Sequence, residues 1–173
     1  MALVPQVVDE VGDKVAVVAA GGLFDGRGLA AALSLGADGV WIGTRFIATP
    51  EAWGVDGYKD VLVATPEDGT VISRAYTGKT CRVVRNEWTN EYENHPDQLQ
   101  PFPQQAIASM KAGVNHLGYP PGTTVDLNRE FLPAGQGVGA IESIIPAGKI
   151  VRTMMREATR SEEHTSELQS PDH

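Results

Sequence analysis

Residues 15–44 read VAVVAAGGLFDGRGLAAALSLGADGVWIGT, and the order of elements in this stretch decides the fold. VAVVAA carries no polar side chain, the pattern of a parallel strand covered on both faces. Gly21 and Gly22 stand at its carboxyl end, where a side chain would hold a ligand away from the backbone amides. A helix-length segment follows, and GVWIGT at residues 39–44 repeats the pattern of strand and then glycine. Strand, Gly-Gly, helix, strand and Gly-Thr together make a βαβ unit. In a parallel barrel of eight strands, the loops after the last two strands form the usual phosphate site, aided by the amino end of a short helix. Outward N–H groups and peptide dipoles favour an anion there, each by ~0.3–1 kcal/mol at an exposed helix end. Spacing makes Gly22, Gly43 and Thr44 the candidates, with the Thr44 hydroxyl adding to its own N–H. Asp25 would repel a phosphate and is read instead as a helix cap turned toward the amides of residues 27 and 28. Arg45 can supply charge to the phosphate or form an ordinary surface ion pair. The glycines keep a second reading, tight turns and close helix–strand packing in any α/β protein. G-G-x-x-D-G-R-G departs from the G-x-G-x-x-G dinucleotide fingerprint, and no acidic residue ends the next strand.

With 14 basic and 22 acidic residues the formal charge is −8, which argues against nucleic acid as a partner, because backbone binding needs a basic surface. No run approaches ~18 apolar residues and no signal peptide is present, so a cytoplasmic protein with no membrane partner is expected. Cys81, the single cysteine, excludes an internal disulfide and reads as a packed thiol. His95, His116, His164 and His173 show no zinc-ligand spacing with one another or with Cys81. At 173 residues the chain holds one ordinary core but falls short of the ~250 residues of a complete eightfold barrel. Its opening segment, MALVPQVVDEVGD, has Pro5 suited to a first helical turn and Val4, Val7, Val8 and Val11 at helical spacing. A helix that opens a chain and feeds a buried parallel strand lacks its own preceding strand. The chain is therefore expected to be a fragment with an incomplete barrel and poorly soluble when expressed alone.

Further along, the segment after Thr44 is expected to be a strand exit and loop, followed by a short helix from Val55. TVISRAY at residues 70–76 alternates as a strand, a turn follows at Gly78, and CRVV can pair with it. Residues 86–103, rich in acids, amides and prolines, are expected to be irregular, with Trp88 and Tyr92 packed as anchors. QAIASMKAGVNHLG predicts a helix with Ile107, Met110, Val114 and Leu117 on one face and His116 beside it as a structural histidine. AGQGVGA at residues 134–140 either borders a cofactor or links two helices. A long helix from Pro146 is expected to carry Ile150, Val151, Met154 and Met155 inward. Residues 160–170, RSEEHTSELQS, resemble the translation of a sequencing adapter and are set aside from fold reasoning.

AAGGLFDGRGLAAALSLGADGVWIGTRFIATPE at residues 19–51, with TGKTCRVVRNEWT and the late PAGQG, resembles the nitronate monooxygenase family, formerly called 2-nitropropane dioxygenases. The resemblance runs from about Leu3 to Ala158. It implies an α/β fold, the C-terminal portion of a flavin-binding (β/α)8 barrel with a mostly helical extension. Residues 1–85 then hold the last βα units and the phosphate site, residues 86–158 a loop-rich and then helical extension, and residues 159–173 a disordered tail. It further implies FMN as cofactor and oxidation of alkyl nitronates, such as propionate 3-nitronate, by molecular oxygen. Carry-over places the flavin phosphate on Gly22 and on Trp41, Ile42, Gly43 and Thr44, with Gly21 forming the turn. The family's general base, a glycine-flanked histidine upstream of the first strand, has no counterpart here, so no catalytic residue is assigned. Related flavin barrels, an enoyl-acyl-carrier-protein reductase or an NADH:quinone reductase, share the AAGGxxDGRG and GTRF segments. A reading from another class is a non-catalytic, phosphate-binding remnant.

Overall fold

The computed structural model describes residues 1–169, with side chains to residue 163. In chain order its elements are α1 (Leu3–Val11), β1 (Val18–Ala20), α2 (Gly26–Ser34), β2 (Gly39–Trp41), α3 (Thr44–Ile47) and α4 (Tyr58–Ala64). There follow β3 (Thr70–Ser73), β4 (Cys81–Val84), α5 (Glu87–Asn94), α6 (Gln104–Lys111) and α7 (Ala147–Gln169). They fall into two compact units, residues 1–42 together with the chain from Ile145 onward, and residues 43–144.

In the first unit β1 and β2 are parallel, with Val18 opposite Gly39, Ala19 opposite Val40 and Ala20 opposite Trp41. Asp38 extends the ladder by one step, its carboxylate accepting from Val17 N at 2.7 Å while its own N–H donates to Val17 O at 2.8 Å. The intervening helix starts where Asp25 accepts from Gly28 N at 2.9 Å, which satisfies one of the donors that a helix start leaves open. Small side chains set the packing distance, because Ala19, Ala32 and Ala37 form the centre, flanked by Val4, Leu23 and Val40. Closer still, α2 meets α7 at Gly26, where a Cβ would lie 2.3 Å from Glu157 Cβ and 2.4 Å from Met154 O. The same glycine donates its N–H to Glu157 Oε2 at 2.9 Å.

Three expectations need correction here. The VAVVAA run is buried on one face only: Val17 and Ala19 point inward while Val18 is 52% exposed, since a two-stranded sheet covers alternate residues from a single side. On α7, Ile150, Met154 and Ala158 are buried, whereas Val151 and Met155 face outward. Only the i, i+4, i+8 stripe can reach α2, and the neighbouring positions are turned ~100° away. The tail expected to be disordered from residue 159 continues α7 as far as Gln169, because residues 160–169 contain neither Gly nor Pro to end a helix already under way. Residues 170–173 of that expectation lie outside the described residues.

In the second unit β3 and β4 form the antiparallel pair anticipated from TVISRAY and CRVV, Thr70 opposite Val84 and Ser73 opposite Cys81. A bridge from Val83 to Pro133 adds a third backbone segment. One core gathers Val55, Tyr58, Leu62, Val84, Leu132, Ala134 and Val138, and a second gathers Ala75, Tyr76, Val83, Trp88, Val114 and Phe131. The expected strand exit and loop after Thr44 begins with the single helical turn of α3. Residues 86–103 are not irregular throughout. Asn86 and Thr89 form a reciprocal capping box that starts α5, a signal carried by side-chain oxygens rather than by apolar spacing.

The helix expected through QAIASMKAGVNHLG ends as α6 at Lys111, and Gly113 then turns left-handed with φ 69°. Val114 and Leu117 lie beyond it, Val114 buried and Leu117 exposed. On α6 itself Met110 is 60% exposed and Ile107 is also outside. Inward instead point Gln105 and Ser109. The chain beyond β3 leaves carbonyls without ladder partners. Gln105 Nε2 donates to Ala75 O at 2.6 Å and Ser109 Oγ to Tyr76 O at 2.6 Å. A buried carbonyl without a donor is costly, so the helix turns its donors inward. Tyr76 is fully buried, its hydroxyl bonded to Asn86, Arg129 O and Glu130 O.

Gly26→Ala is expected to lower stability by roughly 1–3 kcal/mol, through overpacking against the α7 backbone, as read from the urea midpoint of unfolding. Burial pushes the Tyr76 and Tyr58 hydroxyls well above the ordinary tyrosine range. A folded-state value raised above the unfolded one gives stability that is complete below about pH 10 and is lost as pH rises past it. Denaturant midpoints measured across pH should stay level to the unfolded tyrosine value and then fall, less steeply in Tyr76→Phe.

Candidate functional site

The first unit brings two strand ends level, because Ala20 and Trp41 are register partners. Beyond Ala20, Gly21 and Gly22 have φ of 96° and 70°, a left-handed conformation open to glycine and strained for other residues. A Cβ on Gly21 would meet nothing within 4 Å, so open space lies in front of this turn. The positive φ of Gly21 bears out the turn reading of the glycine pair. Trp41, opposite, is 74% exposed, and Ile42 ends this part of the unit. Asp25 is occupied as a cap, as expected, taking Gly28 N, although its second oxygen accepts from Arg27 Nε at 2.6 Å rather than from the amide of residue 27.

Gly43 and Thr44 begin the second unit. Gly43 is the N-cap of α3, and here too a Cβ would meet nothing within 4 Å. Thr44 Oγ1 accepts from Gly135 N at 2.8 Å. Arg45 fits neither of its two expected roles: it is 7% exposed, and its Nη2 donates to Ser143 O at 2.8 Å and to Ala48 O at 3.3 Å. The guanidinium thus clasps backbone, and burial pulls its pKa below the usual arginine value. Neither Gly135 nor Arg45 was identifiable from spacing as part of one arrangement; the AGQGVGA run was the available signal.

His116 is a satisfied structural residue. Its Nδ1 lies 2.8 Å from Glu130 Oε2 and its N–H donates to Glu130 Oε1 at 2.8 Å, on a carboxylate that is 1% exposed. The half-buried Cys81 has its pKa raised by burial, which keeps it a thiol. Among the described residues no group of His, Cys, Asp and Glu is arranged to hold a metal ion, and no helix is long and apolar enough to cross a membrane. Within the second unit, Gly43 and Thr44 carry backbone N–H groups and one hydroxyl, groups of the kind that bind anions.

A family model described as nitronate monooxygenase matches residues 1–157. A putative monooxygenase of Mycobacterium tuberculosis, Rv1533, is 38% identical over 161 residues, covering 91% of this chain and 42% of that protein. Among solved structures, FabK from Thermotoga maritima aligns with a TM-score of 0.78 at 31% identity over 96% of this chain and 50% of its own. A nitroalkane oxidase from Streptomyces ansochromogenes aligns with a TM-score of 0.74 at 29% identity over 95% of this chain and 44% of its own. The chain therefore spans half or less of the length of these relatives. The chain has the expected α/β fold, the C-terminal portion of an incomplete TIM barrel.

Arg45→Met removes the donor to two carbonyls and is expected to lower the urea midpoint, by an amount equivalent to roughly 1–3 kcal/mol. Because the group is buried, the loss should persist at high salt; a loss that disappears there would mark a screened surface pair.

Proposed function

Because the chain belongs to the nitronate monooxygenase family, we propose that the whole protein is a cytoplasmic flavin oxidoreductase that uses FMN and molecular oxygen to oxidise alkyl nitronates, propionate 3-nitronate among them. The observation that carries the reading is the level register of β1 and β2, which aligns a Gly-Gly turn with the start of the Trp41–Thr44 stretch. Gly22, Trp41, Ile42, Gly43 and Thr44 are the residues assigned to the flavin phosphate, with Gly21 as the turn that exposes the amides. Within its own unit each of Gly21 and Gly43 has open space where a Cβ would lie, and main-chain N–H groups can bind a phosphate without a neutralising cation. Thr44 adds a side-chain hydroxyl. When bound, the flavin supplies the one-electron and oxygen chemistry that no side chain can. The protein's share is to anchor the phosphate, orient the ring through it and exclude water. No residue of this chain is given a catalytic role.

Likeness to FabK at 31% identity favours a second reading, a related flavin barrel that reduces an enoyl thioester or a quinone with NADH. The family match over residues 1–157 and the similarity to a nitroalkane oxidase favour nitronate oxidation. A phosphate-binding remnant without catalysis is the remaining alternative.

The purified whole protein is expected to release FMN on denaturation, and to consume oxygen and form nitrite with propionate 3-nitronate in the absence of NADH. Oxidation of NADH by a quinone or an enoyl thioester, with no oxygen uptake on the nitronate, would replace this reading by the second one.

A further inference from the structure

We propose that Gly135, in the late glycine-rich loop, is a positioning residue of the flavin-phosphate site: its N–H holds the Thr44 hydroxyl oxygen, so that the Thr44 O–H is directed to the phosphate. The inference rests on the FMN reading above and deepens it. A threonine hydroxyl has one hydrogen to donate and two lone pairs to accept with. The 2.8 Å bond from Gly135 N occupies one lone pair, and the hydroxyl hydrogen must then point away from Gly135. Without this bond the hydroxyl would be free to rotate about its χ1 and C–O bonds.

The loop is built to hold that N–H in place. On its near side Ala134 is buried and its N–H donates to Arg82 O at 3.2 Å. On its far side Val138 and Ile141 are buried. Arg45, the residue after Thr44, then grips Ser143 O at 2.8 Å. Residues 44 and 45 thus bind both ends of the segment from Gly135 to Ser143, and a side chain at 135 would disturb the arrangement. A Cβ there would sit 3.2 Å from Thr44 Oγ1, closer than ordinary contact, so the hydroxyl would have to shift. Fixing a donor before the ligand arrives removes an ordering cost from binding.

The test measures the affinities of the whole apoprotein for FMN and for riboflavin, which lacks the phosphate, and takes their ratio. The unmodified protein should prefer FMN. Thr44→Val should reduce that preference by about tenfold, the scale of one charge-assisted hydrogen bond, and Thr44→Ser should restore most of it. Gly135→Ala should lower FMN affinity severalfold while leaving riboflavin affinity and the unfolding midpoint close to the parent. A Gly135→Ala protein with an unchanged ratio, whether both affinities fall together or neither moves, overturns the inference while the FMN assignment stands. Equal binding of FMN and riboflavin by the unmodified protein overturns the phosphate assignment itself, and this inference with it.

Discussion

The parallel pairing of Val18–Ala20 with Gly39–Trp41 is the constraint on which the first unit depends. Parallel strands cannot be joined by a tight turn, so the chain must cross over through a helix, and α2 is that crossover. The register then decides what the helix can do, because it brings Ala20 level with Trp41 and so sets where each following turn begins. Asp38 secures it from the opposite end by exchanging hydrogen bonds with Val17. A slip of one residue would turn every side chain of the pair to the other face.

A different constraint governs residues 43–144, where several buried carbonyls lie beyond the ends of the short β3–β4 ladder. Ala75 O receives Trp88 Nε1 at 3.0 Å as well as Gln105 Nε2, and Tyr76 O receives Ser109. The hydroxyl of Tyr76 takes part in a further set with Asn86 and the carbonyls of Arg129 and Glu130. Such a network rigidifies a core when each member is satisfied, and is costly when one is not. It explains why α6 presents an amide and a hydroxyl to the interior while Ile107 and Met110 remain outside.

Glycine serves three separate ends in this chain. At Gly21 it permits a left-handed turn with open space before it. At Gly26 it lets two helices touch backbone to side chain. At Gly135 it allows a loop amide to reach a threonine hydroxyl. A string of letters makes these look alike, since the residue is the same and only its neighbours in space distinguish a turn, a packing contact and a donor.

From residues 15–44 alone, the βαβ unit, the Asp25 cap and the glycine-bearing strand ends were legible, because each leaves its pattern within one short contiguous stretch. The hairpin of TVISRAY and CRVV was legible from its alternation and the turn at Gly78, whereas the Glu130 partner that makes His116 structural lies 14 residues away and was not. Which faces of β1, α6 and α7 are buried, the clasp of Arg45 on Ser143 and the bond from Gly135 to Thr44 were decided only by the tertiary structure. Periodicity records how apolar residues are spaced along one element; it carries no information about which distant carbonyl lacks a donor, or which distant helix comes close enough to cover a face. Those outcomes depend on contacts between residues distant in the chain, 30 positions apart for Gln105 and Ala75 and 91 for Thr44 and Gly135, and on the cost of leaving a buried polar group unpaired.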